Sequence, residues 1–330
     1  MKIFIFNSDE YQDYLSDLIN YYLIKSNHEI YTNYIPEFLF NDYKDINSLY
    51  GKGFTLYGKL DSALKEEIKV ITDGSIASYL LDNNFDLIIF ASVRRSFKEK
   101  NIEKEYLNEI LSKTKASKLI AIDGEDDNLI LENIAKQIKY YKRELLPKNL
   151  DIAHPISFSF PEFFLNNKNL DIRKKTNILA PMDPRFLNSY IFDEESYFTQ
   201  YANSIFATTT KKNGWDCLRH YEIIASGCLP YFPQIEEKPE TIMKNYPANL
   251  QKDINKTFEK IILNASNIDS VENLNLIKNS KTKILNRAIK KMSKMNILEN
   301  NLNRLQTYVD GMSEWFNDYG KSNIYVELLE

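Results

Sequence analysis

Arg219 and Glu222 stand one helical turn apart in the segment GWDCLRHYEIIASGCLPYF, residues 214–232. At about 100° per residue, Trp215, Arg219, Glu222 and Ser226 fall on one face and Cys217, Leu218, Tyr221, Ile224 and Ala225 on another. A guanidinium in that setting can fork onto a phosphate, and a carboxylate can accept hydrogen bonds from two neighbouring hydroxyls. Spacing alone leaves an ordinary intrahelical Arg–Glu surface pair equally open. The segment follows a polar loop, residues 208–213, that carries Lys211 and Lys212. A helix N-terminus behind a basic loop offers backbone N–H groups, the positive end of a dipole and cationic side chains, which suits a diphosphate. Asp216 is either a further functional carboxylate or the cap of this helix.

A second group of carboxylates lies in DGEDD, residues 123–127, directly after an apolar run. Asp123, Glu125 and Asp126 could take a proton from an acceptor hydroxyl, hold a divalent cation, or do no more than turn the chain and cap the next helix. His154 is open to the same two kinds of reading, acid–base or structural. In KYYKRELL, residues 139–146, Lys142 and Arg143 can meet a phosphate or the 123–127 carboxylates, and pairing with the carboxylates is the reading adopted. Cys217 and Cys228 sit in one helix–strand unit and are expected as small buried apolar residues, with no disulfide and no metal site.

The elements that must position these groups read as alternating strands and helices. In the first half, strands are expected at 2–6, 28–31, 86–91 and 118–122, with a further one in FTLYGKL (residues 54–60). Helical patterns run over 11–25, near 75–81 and over 105–112. This alternation predicts a parallel sheet covered on both faces. The first strand is followed by Asn7, Ser8 and Asp9, not by a G-x-G-x-x-G fingerprint, which argues against a nicotinamide or flavin enzyme. Residues 147–155 carry two prolines and are taken as the crossing between a domain of residues 1–150 and one of residues 151–330. Beyond it, strands are expected at 156–160 (ISFSF), 176–180 and 204–207, and helices at 194–203, 250–266, 277–295 and 296–319. Gly227 ends the helix after Gly214, and 228–232 follows as a short or edge strand, since it contains Pro230.

The 330 residues are 43% hydrophobic and 27% charged, an ordinary globular composition. A net charge of -4 argues against a long nucleic-acid groove. The opening MKIFIFNSDE lacks the pattern of a signal peptide, and no run is apolar enough to span a bilayer, so a cytoplasmic protein is expected. With 22 Tyr and 19 Phe as interfacial anchors, peripheral contact at the inner membrane face stays open. The cationic run from Lys281 to Lys294 is read first as a solvated face and second as a contact for an anionic lipid or acceptor.

The segment SIFATTTKKNGWDCLRHYEIIASGCLPYF resembles the donor site of GT-B glycosyltransferases. It is most similar to the exostosin-type pattern of an Arg, an aromatic and a Glu before an Ala-x-Gly-Cys-x-Pro run, here Arg219, Tyr221, Glu222, Ala225, Gly227, Cys228 and Pro230. The resemblance implies an α/β fold of two Rossmann-like domains facing across a cleft, closed by C-terminal helices. It implies a nucleotide-diphosphate sugar as donor substrate with no resident cofactor, and a glycan, lipid-linked or protein acceptor on the N-terminal side. The donor-side residues it implies are Arg185, Lys211, Lys212, Gly214, Trp215, Asp216, Arg219 and Glu222. Glu222 would accept from ribose hydroxyls, and Arg185 would face the pyrophosphate from the first loop of the second domain. Many retaining members carry a further Glu where this chain has Gly214, so neither inversion nor retention is assigned, and a non-catalytic GT-B-like binding or assembly protein and a nucleotide-sugar epimerase on the same scaffold stay open as rival readings.

Overall fold

Strict alternation along the strands builds a sheet with two covered faces. In β1 (Lys2–Phe6), Ile3 and Ile5 enter one apolar cluster while Phe4 and Phe6 enter another. The same division recurs in β4 (Leu87–Phe90), where Leu87 and Ile89 oppose Ile88 and Phe90. It recurs again in β5 (Leu119–Asp123), where Ile120 and Ile122 oppose Leu119 and Ala121. Period-two side chains buried on both sides are what a parallel sheet between layers demands. The computed structural model describes residues 1–7, 12–71, 79–80, 83–94, 108–112, 114–161, 170–184, 193–266, 294–320 and 328–329.

With β2 (Glu29–Thr32), β3 (Lys69–Val70), β6 (Lys139–Lys142) and β7 (His154–Pro155), these strands form one parallel sheet in the order β3-β2-β1-β4-β5-β6-β7. In register, Ile3 faces Ile30 on one side of β1 and Leu87 on the other. The order reverses at β1, the Rossmann-like arrangement expected of the first half. A second parallel sheet follows, with β8 (Asn177–Leu179), β9 (Ser204–Thr208) and β10 (Leu229–Tyr231) in the order β10-β9-β8. Pro230 is thus confined to an edge strand of three residues.

Helix α1 (Tyr14–Lys25) is capped by Asp13, whose carboxylate accepts from the N–H groups of Leu15 and Ser16. Helices α2 (Glu132–Ala135), α3 (Glu194–Ala202) and α4 (Leu218–Ala225) are short. Helix α4 stops where Gly227 takes φ 68°, as a residue without Cβ can. Helices α5 (Ala248–Ser266) and α6 (Lys294–Trp315) are longer, and a π turn over Phe316–Gly320 extends the last of them. That turn leads back to the first half of the chain. The Gly320 carbonyl accepts from the Phe160 N–H, and the Phe160 carbonyl accepts from the Tyr22 hydroxyl of α1. No helix among the described residues is long and apolar enough to cross a membrane.

Two strand expectations fail. FTLYGKL forms turns, because Thr55 and Gly58 adopt positive φ, and pleated pairing cannot pass through such residues. ISFSF leaves the sheet after Ile156, whose N–H still reaches the Lys142 carbonyl. The Phe158 N–H then goes to the Asp216 carboxylate and the Phe160 N–H to Gly320. The Phe158 and Phe160 donors are thus satisfied outside any ladder, and no strand forms there. The helical patterns expected near 75–81 and over 277–295, and the Lys281-to-Lys294 run, lie largely or wholly outside the described residues.

Candidate functional site

Loop and helix between β9 and β10 are held by one buried imidazole. His220 accepts from the Thr209 hydroxyl at Nδ1 (2.9 Å) and donates from Nε2 to the Trp215 carbonyl (2.9 Å). The carbonyl accepts only, which fixes the proton on Nε2. Burial lowers the His220 pKa to about 3, so the ring stays neutral and staples the loop to α4. Trp215 lies in the turn before the helix, not on its polar face. It is buried against Phe232, with the Lys211 ammonium 4.9 Å from its ring centre.

The turn is clamped by the end of β6. Glu144 accepts from the N–H groups of Trp215 and Asp216, both at 3.0 Å. Arg143 donates to Glu144 (3.0 Å), to the Asp216 carbonyl (2.5 Å), to the Gly124 carbonyl (3.0 Å) and to Asp126. A side chain at position 214 would collide with this cluster, which explains the glycine there by close approach. The clamp also means that the N–H groups of Trp215 and Asp216 are committed to a carboxylate of this chain.

Against the clamp lies a cavity of about 330 Å³. It opens beyond the carboxyl ends of strands from both sheets. Tyr14 follows β1, Asp126 follows β5, Pro184 follows β8, and Lys212 and Gly214 follow β9. Open α/β sheets place ligands in this position because loops converge there while the strands fix their roots. Lys52, Lys212 and Arg219 supply positive charge, Asp126, Asp216 and Glu222 supply carboxyl groups, and aromatic walls come from Tyr14, Tyr50, Phe54, Phe158 and Tyr197.

The carboxyl groups differ in state. Asp126 is ion-paired with Arg143. Asp216 accepts from the Phe158 N–H at 2.8 Å, and burial, partly offset by Arg143, pushes its pKa up to about 7. Glu222 accepts from the Thr55 hydroxyl (2.5 Å) and from the Tyr197 hydroxyl (2.6 Å). Burial raises its pKa, and the Arg219 charge opposes the shift without cancelling it. Lys212 has its pKa lowered, first by burial and next by Arg219.

Of the residues singled out from the sequence, Asp126, Lys212, Gly214, Asp216, Arg219 and Glu222 line this one cavity. Asp123 does not. It is buried between Lys142 (3.0 Å) and Tyr140 (2.6 Å), with burial raising its pKa and lowering that of Lys142. Lys142 and Arg143 therefore pair with the 123–127 carboxylates within their own sheet. Glu125 and Lys211 are not among the lining residues. His154 lies on edge strand β7, in a different cavity, beside the Tyr141 ring. Arg185 falls outside the described residues. Cys217 and Cys228 are free thiols, and burial takes Cys228 to about 12. Among the described residues no three His, Cys, Asp or Glu side chains are grouped as metal ligands.

Sequence reasoning missed the aromatic walls and Thr55, which no local pattern joins to α4. The clamping role of Glu144 is likewise beyond the sequence, although its neighbour Arg143 is expected there to pair with the same acidic turn. No family model matches the chain, and neither does any curated protein or solved structure.

Proposed function

We propose that the chain is a glycosyltransferase of GT-B type that moves a sugar from a nucleotide-diphosphate donor to a hydroxyl acceptor. In this reading the second half of the chain holds the donor and the first half faces the acceptor, with the cavity between the carboxyl ends of the two sheets as the cleft. The observation that carries the reading is the joint placement of Arg219 and Lys212 in a cavity that several aromatic side chains also line. A nucleotide needs both: cations for its phosphates and planar faces for its base.

Arg219 and Lys212 would neutralise the leaving diphosphate as its charge develops, which is where electrostatic stabilisation lowers the barrier. Proton removal from the acceptor hydroxyl falls to a carboxylate in the cavity. Asp216, with a pKa of about 7, is better matched to that task than Asp126, which Arg143 holds. A second reading, a binding protein without transfer activity, is favoured by one feature: both oxygens of Glu222 already accept from Thr55 and Tyr197.

Calorimetric titration with a panel of nucleoside diphosphates tests the proposal. Wild type should bind at least one, and Arg219→Gln and Lys212→Gln should each weaken it by roughly 10- to 100-fold, the loss of one charge-assisted hydrogen bond. Release of nucleoside diphosphate from a sugar donor, stimulated by acceptor, then separates a transferase from a binding protein. Absence of binding across the panel, or binding indifferent to both substitutions, would overturn the assignment.

A further inference from the structure

A second cavity, of about 570 Å³, runs along the edge of the larger sheet. Its floor is Tyr141 on β6 and the segment leading from β7 to Phe158; its far side is the 243–246 loop with Trp315 and Tyr319. Two features set it apart from the first. Its charged lining is of one sign: Lys139 and Lys244 contribute to it, and no carboxylate is among the described residues that line it. In a chain with 46 Asp and Glu, it is the lack of a carboxylate that leaves this lining electropositive.

The second feature is a set of aromatic rings at several orientations. Tyr246 meets Trp315 edge-on at 5.1 Å, and Tyr221 lies tilted at 5.9 Å from the same indole. Trp315 is buried, and its Nε1–H is committed to the Asn245 carbonyl. Tyr319 at the rim is half exposed. Met243, in the loop that closes the cavity, adopts φ 47°, a conformation that side-chain-bearing residues rarely take. The wall between the two cavities is Phe158, which lines both and whose N–H is bonded to Asp216 of the first.

We propose that this cavity binds a negatively charged sugar unit, carboxylate- or phosphate-bearing, of the acceptor glycan. Aromatic faces take the apolar side of a pyranose ring, Lys139 and Lys244 take its anionic group, and Ser157 and Asn245 are within the lining to meet hydroxyls. This role rests on the transferase reading, but the binding itself does not.

The test is a titration of the full chain with glucuronic acid, glucose 6-phosphate and glucose, followed by tryptophan fluorescence. The chain has only two Trp, and one of them, Trp315, lines this cavity. The two charged sugars report on carboxylate and phosphate separately, and glucose on the ring alone. At least one charged sugar should bind at least about tenfold more tightly than glucose. The Lys139→Gln/Lys244→Gln double variant should erase that preference, while Tyr319→Ala, at the exposed rim, should weaken all three sugars without affecting the melting temperature. Equal binding of charged and neutral sugars, no binding of either charged sugar, or a preference that survives in the double variant overturns the proposal.

Nucleoside diphosphate is titrated in parallel against Arg219→Gln. Charged-sugar binding without nucleotide binding would leave this site standing and sink the transferase reading; the reverse result would sink this site alone.

Discussion

A Cβ at position 214 would lie 2.6 Å from Glu144 Oε1 and 3.0 Å from both Arg143 Nη1 and Asp126 Oδ1. Three charged groups already share that space, so Gly214→Ala should force the clamp apart and cost about 1–3 kcal/mol in urea unfolding, as overpacking usually does. A cost within error of zero would mean that the clamp is looser than its geometry. Asp216 and His220 act on stability with opposite signs. Asp216 titrates near 7 when folded against an ordinary 3.8, so the folded state binds the extra proton and stability falls as pH rises from about 4 to 7. His220 titrates near 3 when folded against an ordinary 6.5, so stability rises with pH over nearly the same window. The two slopes largely cancel in the native protein. Asp216→Asn keeps an acceptor for the Phe158 N–H and removes only the first slope. Its stability relative to wild type should improve by about 3 kcal/mol between pH 4 and pH 7. A difference that does not change with pH would show that Asp216 ionises freely in the folded protein.

The loop over residues 50–58 belongs to the first half of the chain and is pinned by the second. Glu194, at the start of α3, accepts from the Thr55 N–H (2.7 Å) and pairs with Lys59 (2.5 Å), while Glu222 on α4 holds the Thr55 hydroxyl. Thr55 is kept at φ 78°, which a β-branched residue does not adopt without such anchors. Glu194→Gln weakens the anchor at a half-exposed position, so the global loss should stay below about 1 kcal/mol. Amides near residues 54–59 should nonetheless exchange with solvent several-fold faster, since only local opening is affected. Unchanged exchange would place the restraint elsewhere. This loop also marks the limit of what the chain's periodicity can reveal. β1, α1, β9 and α4 were legible because their apolar spacing is local, and Gly227 and Pro230 punctuate them. FTLYGKL and ISFSF share the alternation of strands, yet the partners that decide their fate, Glu222 for one and Asp216 for the other, lie far along the chain. Arg219 and Glu222 were placed on one wall by helical spacing, whereas Tyr14, Tyr50 and Phe158 reach that cavity through tertiary folding alone.

One apolar cluster runs without interruption from Ile3, Leu18 and Ile89 of the first half to Ile205, Phe206 and Phe258 of the second. Polar links cross at the same level: Arg143 to the Asp216 carbonyl, Tyr22 to Phe160, and Thr241 to the Leu145 carbonyl. Two units with separate cores would melt separately, whereas a shared core makes each half lose buried area when the other unfolds. Calorimetric unfolding should therefore show one transition in which the calorimetric and van't Hoff enthalpies agree. In the transferase reading proposed above, a nucleoside diphosphate would bind between the sheets and stabilise whatever unit it bridges. At a concentration 100 times its Kd it should add about 2.7 kcal/mol and move the whole transition upward. At the same nucleotide concentration Arg219→Gln should cut that gain to about 0.4–1.4 kcal/mol while leaving the unliganded melt nearly in place, since Arg219 lines a cavity and is not part of the apolar cluster. Two resolved transitions, with only the second half shifted by nucleotide, would instead mean that the halves are energetically independent and that the donor site belongs to residues 151–330 alone.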